Sequence, residues 1–204
     1  MKRLSLLLIF GVAILFSGCQ KDQPVGPDEN DQAIPELKVV KHEFSGFCMP
    51  TPIGITDCGT IEELPNGMIK NTGFQSVWHD ETDDPYTTGY TYWNENMLIS
   101  ADGKTSKAWG KATLVLDNDL GEWAFSLQGI SYIKEGSDDI LVAICDMDPL
   151  APPPAAIIYG VCKGVGKSGA VKGMVGEWTY EMDMQGGFFY TINGWYKHGN
   201  GHQP

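Results

Sequence analysis

The sequence predicts an all-β fold with antiparallel connections. Past residue 35, no segment keeps an i, i+3, i+4, i+7 apolar stripe over three helical turns. The chain instead contains short runs of aromatic and β-branched residues, separated by Gly, Asn and Asp. Such spacing without intervening helices favours an up-and-down barrel of about eight strands, with a β-sandwich as the alternative. We prefer the barrel because glycines recur at strand ends and interiors, as sharply coiled strands require.

Individual strands follow from the apolar runs and the turns between them. Asp102-Gly103 and Asp117-Asn118 lie where tight hairpin turns belong. Apolar and polar residues alternate most clearly over residues 123–128, so one face of that strand packs against the interior. The predicted strands cover residues 39–47, 60–63, 68–79, 87–99, 106–117, 122–134, 140–145, 157–164, 170–184 and 187–195.

The N-terminus has the pattern of a bacterial export signal. Lys2 and Arg3 precede an apolar run over residues 4–16, which is shorter than the roughly 20 residues a membrane-spanning helix needs. The segment Leu15-Phe16-Ser17-Gly18-Cys19 resembles a bacterial lipobox, with Phe16 at a position where Leu is commoner. That resemblance implies cleavage before Cys19 and a lipid on its sulfur; an ordinary signal peptide containing Cys is the alternative.

Domain organisation follows from this N-terminus. We expect a signal peptide at 1–18, a lipidated flexible tether at 19–35, a barrel domain at 36–198 and a disordered tail at 199–204. The mature chain is then anchored in the outer membrane by lipid and does not cross it. Gln20-Lys21-Asp22 is similar to an acidic surface-export signal, which favours the cell surface over the periplasmic face.

The charge of the chain limits the classes of partner that it is expected to bind. The net charge is −12, and cleavage before Cys19 removes two more basic residues. Nucleic acid would be repelled by this charge and is not expected as a partner. The densest charged stretch, residues 79–85, is interpreted as a solvated acidic hairpin loop, with calcium binding as the alternative. No cofactor or metal is expected, because no H-x-H, H-E-x-x-H or C-x-x-C motif occurs.

Four cysteines follow the lipidation cysteine, and an even number of thiols outside the inner membrane usually forms disulfides. Four cysteines can form two disulfides in three different ways. We favour Cys48–Cys58 together with Cys145–Cys162, because each closes a short segment rich in turn residues.

A wider resemblance runs from about residue 60 to residue 196. Gly89-Tyr90-Thr91-Tyr92, Gly121-Glu122-Trp123 and Gly164-Val165-Gly166-Lys167 resemble the strand and glycine pattern of the allene oxide cyclase and dirigent type of eight-stranded, calycin-like barrel. Enzymes of the cyclase family use a buried carboxylate to steer an apolar substrate. Four of the acids on predicted strands are considered for such a role, and we assign it to none of them: Glu95, Glu122, Glu177 and Glu181.

Barrels of this size hold either side chains or one small ligand. Five aromatic residues are candidate ligand contacts, with core packing as the alternative for each: Trp93, Trp109, Trp123, Trp178 and Tyr180. The first hypothesis is a non-catalytic envelope lipoprotein that binds a small apolar or amphipathic ligand or a surface partner. The alternatives are a cyclase or isomerase acting inside the barrel, and a surface glycan binder or adhesin.

Overall fold

The computed structural model describes residues 40–133 and 155–199. They form one antiparallel sheet of nine strands: β1 (His42–Asp57), β2 (Thr60–Glu63), β3 (Ile69–Thr82), β4 (Gly89–Ile99), β5 (Thr105–Leu116), β6 (Gly121–Ile133), β7 (Ala156–Gly169), β8 (Met174–Asp183) and β9 (Tyr190–His198). Within these ranges the helical structure is one 3-10 turn, Asp117–Asp119. The predicted signal peptide, the predicted tether with Cys19 and the predicted strand 140–145 lie outside the described residues.

The sheet closes into a ring of eight strands. β1 pairs with β9 from His42↔Tyr196 onward and with β3 from Gly46↔Thr82 onward, so the first and last strands of the ring are neighbours. From β3 to β9, each strand of the ring is hydrogen-bonded to the strand that follows it in the sequence. β2 is an additional strand outside the ring, paired with β3. The predicted up-and-down barrel is confirmed, and the sandwich alternative is wrong. All eight ring strands lie between residues 42 and 198, within the compact unit that starts at Lys38.

The predicted strand boundaries fail mainly where Pro and Gly interrupt the pattern. The predicted first strand ends at residue 47, whereas β1 continues through Pro50 to Asp57. Its pairing with β3 is irregular between Pro50 and Ile55, as expected where proline cannot donate a backbone hydrogen bond. β7 likewise continues to Gly169, past the predicted end at residue 164. Thr60–Glu63 forms β2 as predicted.

Aromatic side chains fill one half of the barrel, which we call the packed half. Trp123 and Trp178 are fully buried, with ring centroids 5.0 Å apart and the planes nearly perpendicular. Phe125 packs against Trp178 at 4.7 Å in the same edge-to-face manner. The inward-facing glycines leave room for these rings, because a Cβ at Gly164 would lie 2.3 Å from the Phe125 ring. A glycine at position 164 therefore leaves the space that the Phe125 ring occupies.

Candidate functional site

The other half of the barrel contains a cavity of about 380 Å³. It lies where β4, β6 and β8 end and where β3, β5, β7 and β9 begin. The space exists because small residues stand here at inward or cavity-lining positions: Ser76, Ser106, Ala108, Gly129, Ser131 and Gly160. The volume lies within the range of roughly 300–1,000 Å³ that is typical of small-molecule sites.

The cavity wall is mainly aromatic and thioether. Trp93 packs edge-to-face on Tyr180 at 5.2 Å, and Trp78 packs on Tyr190 at 5.2 Å. Met97 and Met182 are buried beside the same space. A wall of rings and thioethers offers a ligand large apolar contact area with some adaptability.

Glu95 places one carboxyl group in this apolar wall. Strand alternation directs Trp93, Glu95 and Met97 inward from β4. Glu95 keeps some accessible surface because it lines the cavity, yet burial raises its pKa from 4.5 to about 7. Among the described residues nothing forms a hydrogen bond or ion pair with this carboxyl group. At neutral pH the group therefore exists in both protonation states.

The remaining polar groups of the cavity wall are neutral. The Trp78 indole N–H donates to Ser76 Oγ at 3.1 Å, and the Ser106 and Ser131 hydroxyls are hydrogen-bonded to each other. No lysine, arginine or histidine is present among the described residues that line the cavity. Glu95 accordingly has no cationic partner in the wall.

A second buried carboxyl group, that of Asp80, is hydrogen-bonded to the cavity-lining residue Tyr180. Its Oδ2 accepts hydrogen bonds from Thr91 Oγ1 at 2.8 Å and Tyr180 Oη at 2.9 Å, while Oδ1 has no partner within the described chain. Burial raises the pKa of Asp80 to about 6, and hydrogen bonds from the Cys48 thiol, Thr91 and Tyr180 oppose the rise. Tyr180 thus connects the cavity wall to this buried carboxyl group.

The burial of Asp80 corrects the interpretation of residues 79–85 as a solvated loop. β3 continues to Thr82, so residues 79–82 belong to a strand and Asp80 is 0% exposed. The sequence did not indicate that Asp80 is buried, because its neighbours Glu81 and Asp83 are exposed acids and the stretch as a whole is strongly charged. The signal that could have revealed it is the period-2 spacing of Ser76, Trp78 and Asp80, which places all three on one face of the strand.

The five candidate ligand contacts occupy three different environments. Trp93 and Tyr180 line the cavity. Trp123 and Trp178 belong to the packed half and are fully buried. Trp109 is on the outer face of β5, with 41% of its surface exposed. Sequence analysis did not select the other aromatic residues that line the cavity: Phe74, Trp78, Tyr159, Phe188 and Tyr190.

The preferred disulfide pairings are wrong. Cys48 and Cys162 are free, buried thiols, and each preferred pairing requires one of them. Both lie at inward positions, on β1 and β7, where burial raises their thiol pKa well above the ordinary value. Cys58 is not among the free thiols, and Cys145 lies outside the described residues. Spacing along the sequence could not show which cysteines face the barrel interior.

Neither metal ligands nor a membrane helix is found in the described ranges. Residues 40–133 and 155–199 contain no group of three His, Cys, Asp or Glu side chains arranged to hold a metal ion. The same residues include no helix with the length and apolar character needed to span a membrane.

Fold and cavity together define an eight-stranded antiparallel β-barrel with an internal, mostly apolar site containing one carboxyl group. No protein-family model and no curated protein matches the sequence.

Proposed function

We propose that this chain is an envelope lipoprotein whose barrel binds one small apolar or amphipathic ligand in its cavity. The cavity itself carries the proposal. A barrel that served only as a scaffold could fill both halves with side chains, as it does around Trp123 and Trp178. Here one half stays open, with large aromatic residues around the space and small residues between them.

The anchor forms the second part of the proposal. The lipobox-like segment ending at Cys19 supports a diacylglyceryl anchor, and the polar tether supports a domain held away from the bilayer. We place the chain in the outer membrane, at the cell surface or at the periplasmic face. Metabolic labelling with an alkynyl fatty acid should tag the wild type and leave Cys19→Ser untagged; equal labelling of both would contradict the anchor.

Native mass spectrometry tests the ligand. Because the ring strands lie between residues 42 and 198, the chain from Gln20 onward contains the complete barrel and can be exported without the lipid. We expect one noncovalent adduct per chain, lost when the protein is unfolded in acid. A chain that purifies empty and takes up none of a panel of neutral and cationic lipophilic compounds would refute the proposal.

Catalysis inside the same cavity is a second candidate, favoured by Glu95. A general acid–base is most effective when its pKa lies near the operating pH, and Glu95 has a pKa of about 7. This role suits the cyclase or isomerase activity that the allene oxide cyclase resemblance implies. A catalyst should convert its substrate in the wild type and lose turnover in Glu95→Gln while still binding. A ligand recovered unchanged after prolonged incubation would leave binding as the function.

A surface role is a third candidate, supported by aromatics on the outer face. Five of them on β4–β7 are more than a third exposed: Tyr90, Tyr92, Trp109, Tyr132 and Tyr159. Such rings suit a glycan or a protein partner. Binding to a glycan array that disappears in Trp109→Ala and persists in Glu95→Gln would assign recognition to this face.

A further inference from the structure

Among the described residues, the ionisable groups around Glu95 are all either neutral or negatively charged. Tyr190 on β9, Cys48 on β1 and Cys162 on β7 each interact electrostatically with its carboxylate, and these groups are neutral or negative. Asp80 on β3 contributes a second carboxyl group to the same interior. With no basic side chain among the described lining residues, the potential in the cavity is negative whenever Glu95 is ionised.

This arrangement discriminates among amphipathic ligands. A fatty acid would place its carboxylate in a poorly solvated space that already holds a carboxyl group, and like charges at short range are unfavourable. A neutral alcohol would gain one hydrogen bond. An ammonium group would gain a charge-assisted hydrogen bond and supply the counterion that the barrel lacks.

The aromatic wall favours the same ligand class. Trp78, Trp93 and Tyr190 line the cavity that Glu95 faces. Aromatic rings attract cations through the negative charge of their faces, and the attraction strengthens where water is excluded. The rings also provide the contact area that a hydrocarbon body needs.

We propose that the cavity selects a protonated lipophilic amine, whose ammonium group contacts the Glu95 carboxylate and whose apolar body lies against Trp78, Trp93 and Tyr190. This inference rests on the proposed function, because it names the ligand class for the same cavity. It assigns Glu95 the role of counterion for the ligand.

The test compares three probes that share an eight-carbon chain: 1-octylamine, 1-octanol and octanoate. The change in tryptophan emission at pH 8 follows their binding to the chain from Gln20 onward, because Trp78 and Trp93 line the cavity and their environment changes when it is filled. We expect octylamine to bind at least about tenfold more tightly than octanol, because a close pair of opposite charges adds at least about this much to binding. Octanoate should bind most weakly.

The variant Glu95→Gln should lower the octylamine affinity at least about tenfold, to that of octanol or below, because the ammonium group loses its counterion. It should change the octanol affinity little, because the glutamine amide oxygen can still accept a hydrogen bond from the hydroxyl group. Glu122→Gln, at an exposed position on β6, is the matched control and should change neither. In the wild type, octylamine affinity should fall between pH 8 and pH 5.5 as Glu95 becomes protonated, a readout that does not depend on any variant.

The outcomes separate the two proposals. Octanol binding without a preference for the amine would overturn the amine inference and leave the cavity as a ligand site. An octanoate affinity above that of octylamine, or an unchanged octylamine affinity in Glu95→Gln, would do the same. Failure of all three probes to bind would overturn the amine inference, and an empty chain in native mass spectrometry would then remove the proposed function as well.

Discussion

Glu95→Gln should stabilise the folded barrel at pH 8 and leave its stability at pH 4.5 nearly unchanged. Burial raises the pKa of Glu95 from 4.5 to about 7, so folding favours the protonated form. A raised folded-state pKa contributes stability that is fully present below about pH 4.5 and is lost as the pH rises through 7. Glutamine is neutral at every pH and escapes this loss.

The magnitude follows from the size of the pKa shift. One pKa unit corresponds to about 1.4 kcal/mol, so a shift of about 2.5 units amounts to roughly 3 kcal/mol. The difference in unfolding free energy between Glu95→Gln and wild type should therefore grow between pH 4.5 and pH 7 and level off above. For a domain of this size, that corresponds to roughly 6–12 °C in Tm at pH 8.

Urea denaturation of the ligand-free chain at half-unit pH intervals measures this difference. Glu122→Gln is the control, because its side chain is exposed on the outer face of β6 and its curve should parallel the wild type. A pH-independent difference between Glu95→Gln and wild type would refute the reasoning, since it would mean that the folded barrel does not discriminate against ionised Glu95.

Three further predictions concern the structure around the cavity. Tyr180→Phe removes a hydrogen bond to Asp80, so it should cost about 1–3 kcal/mol in denaturant titrations above pH 6 and less below, where Asp80 is protonated; an equal cost at all pH values would contradict the bond. Folded protein should not react with a thiol reagent, whereas unfolding without a reductant should expose the Cys48 and Cys162 thiols; labelling of either thiol in the folded protein would contradict their burial. Gly110→Ala should prevent soluble expression or lower Tm sharply, since its Cβ would lie 2.2 Å from a β4 carbonyl oxygen; a wild-type Tm would disprove so close an approach.

Much of the fold was predictable because strand signals are local. Alternation over residues 123–128 and the Asp102-Gly103 turn depend only on neighbouring residues, and both are correct. The position of Glu95 was also recoverable, since it lies two residues from Trp93 and from Met97 on the same strand face.

The cavity itself was not predictable, because it depends on contacts between strands that are distant in the sequence. Trp93 and Trp178 look alike as inward aromatics, yet one lines the cavity and the other fills the packed half. The difference arises from neighbours such as Ala108 and Gly160, whose small size matters only once the strand register is known. The disulfide prediction was wrong for the same reason, because the sequence alone did not show that Cys48 and Cys162 face the barrel interior.

Titration with the neutral dye N-phenyl-1-naphthylamine, in wild type and in Ala108→Phe, tests the ligand site most directly. Ala108 lines the cavity, so a phenyl ring there should fill part of the space without removing a polar group. We predict one saturable site per wild-type chain, lost in Ala108→Phe while the folded state persists by circular dichroism. Equal dye binding by both proteins, or none by the wild type, would contradict a ligand site inside the barrel.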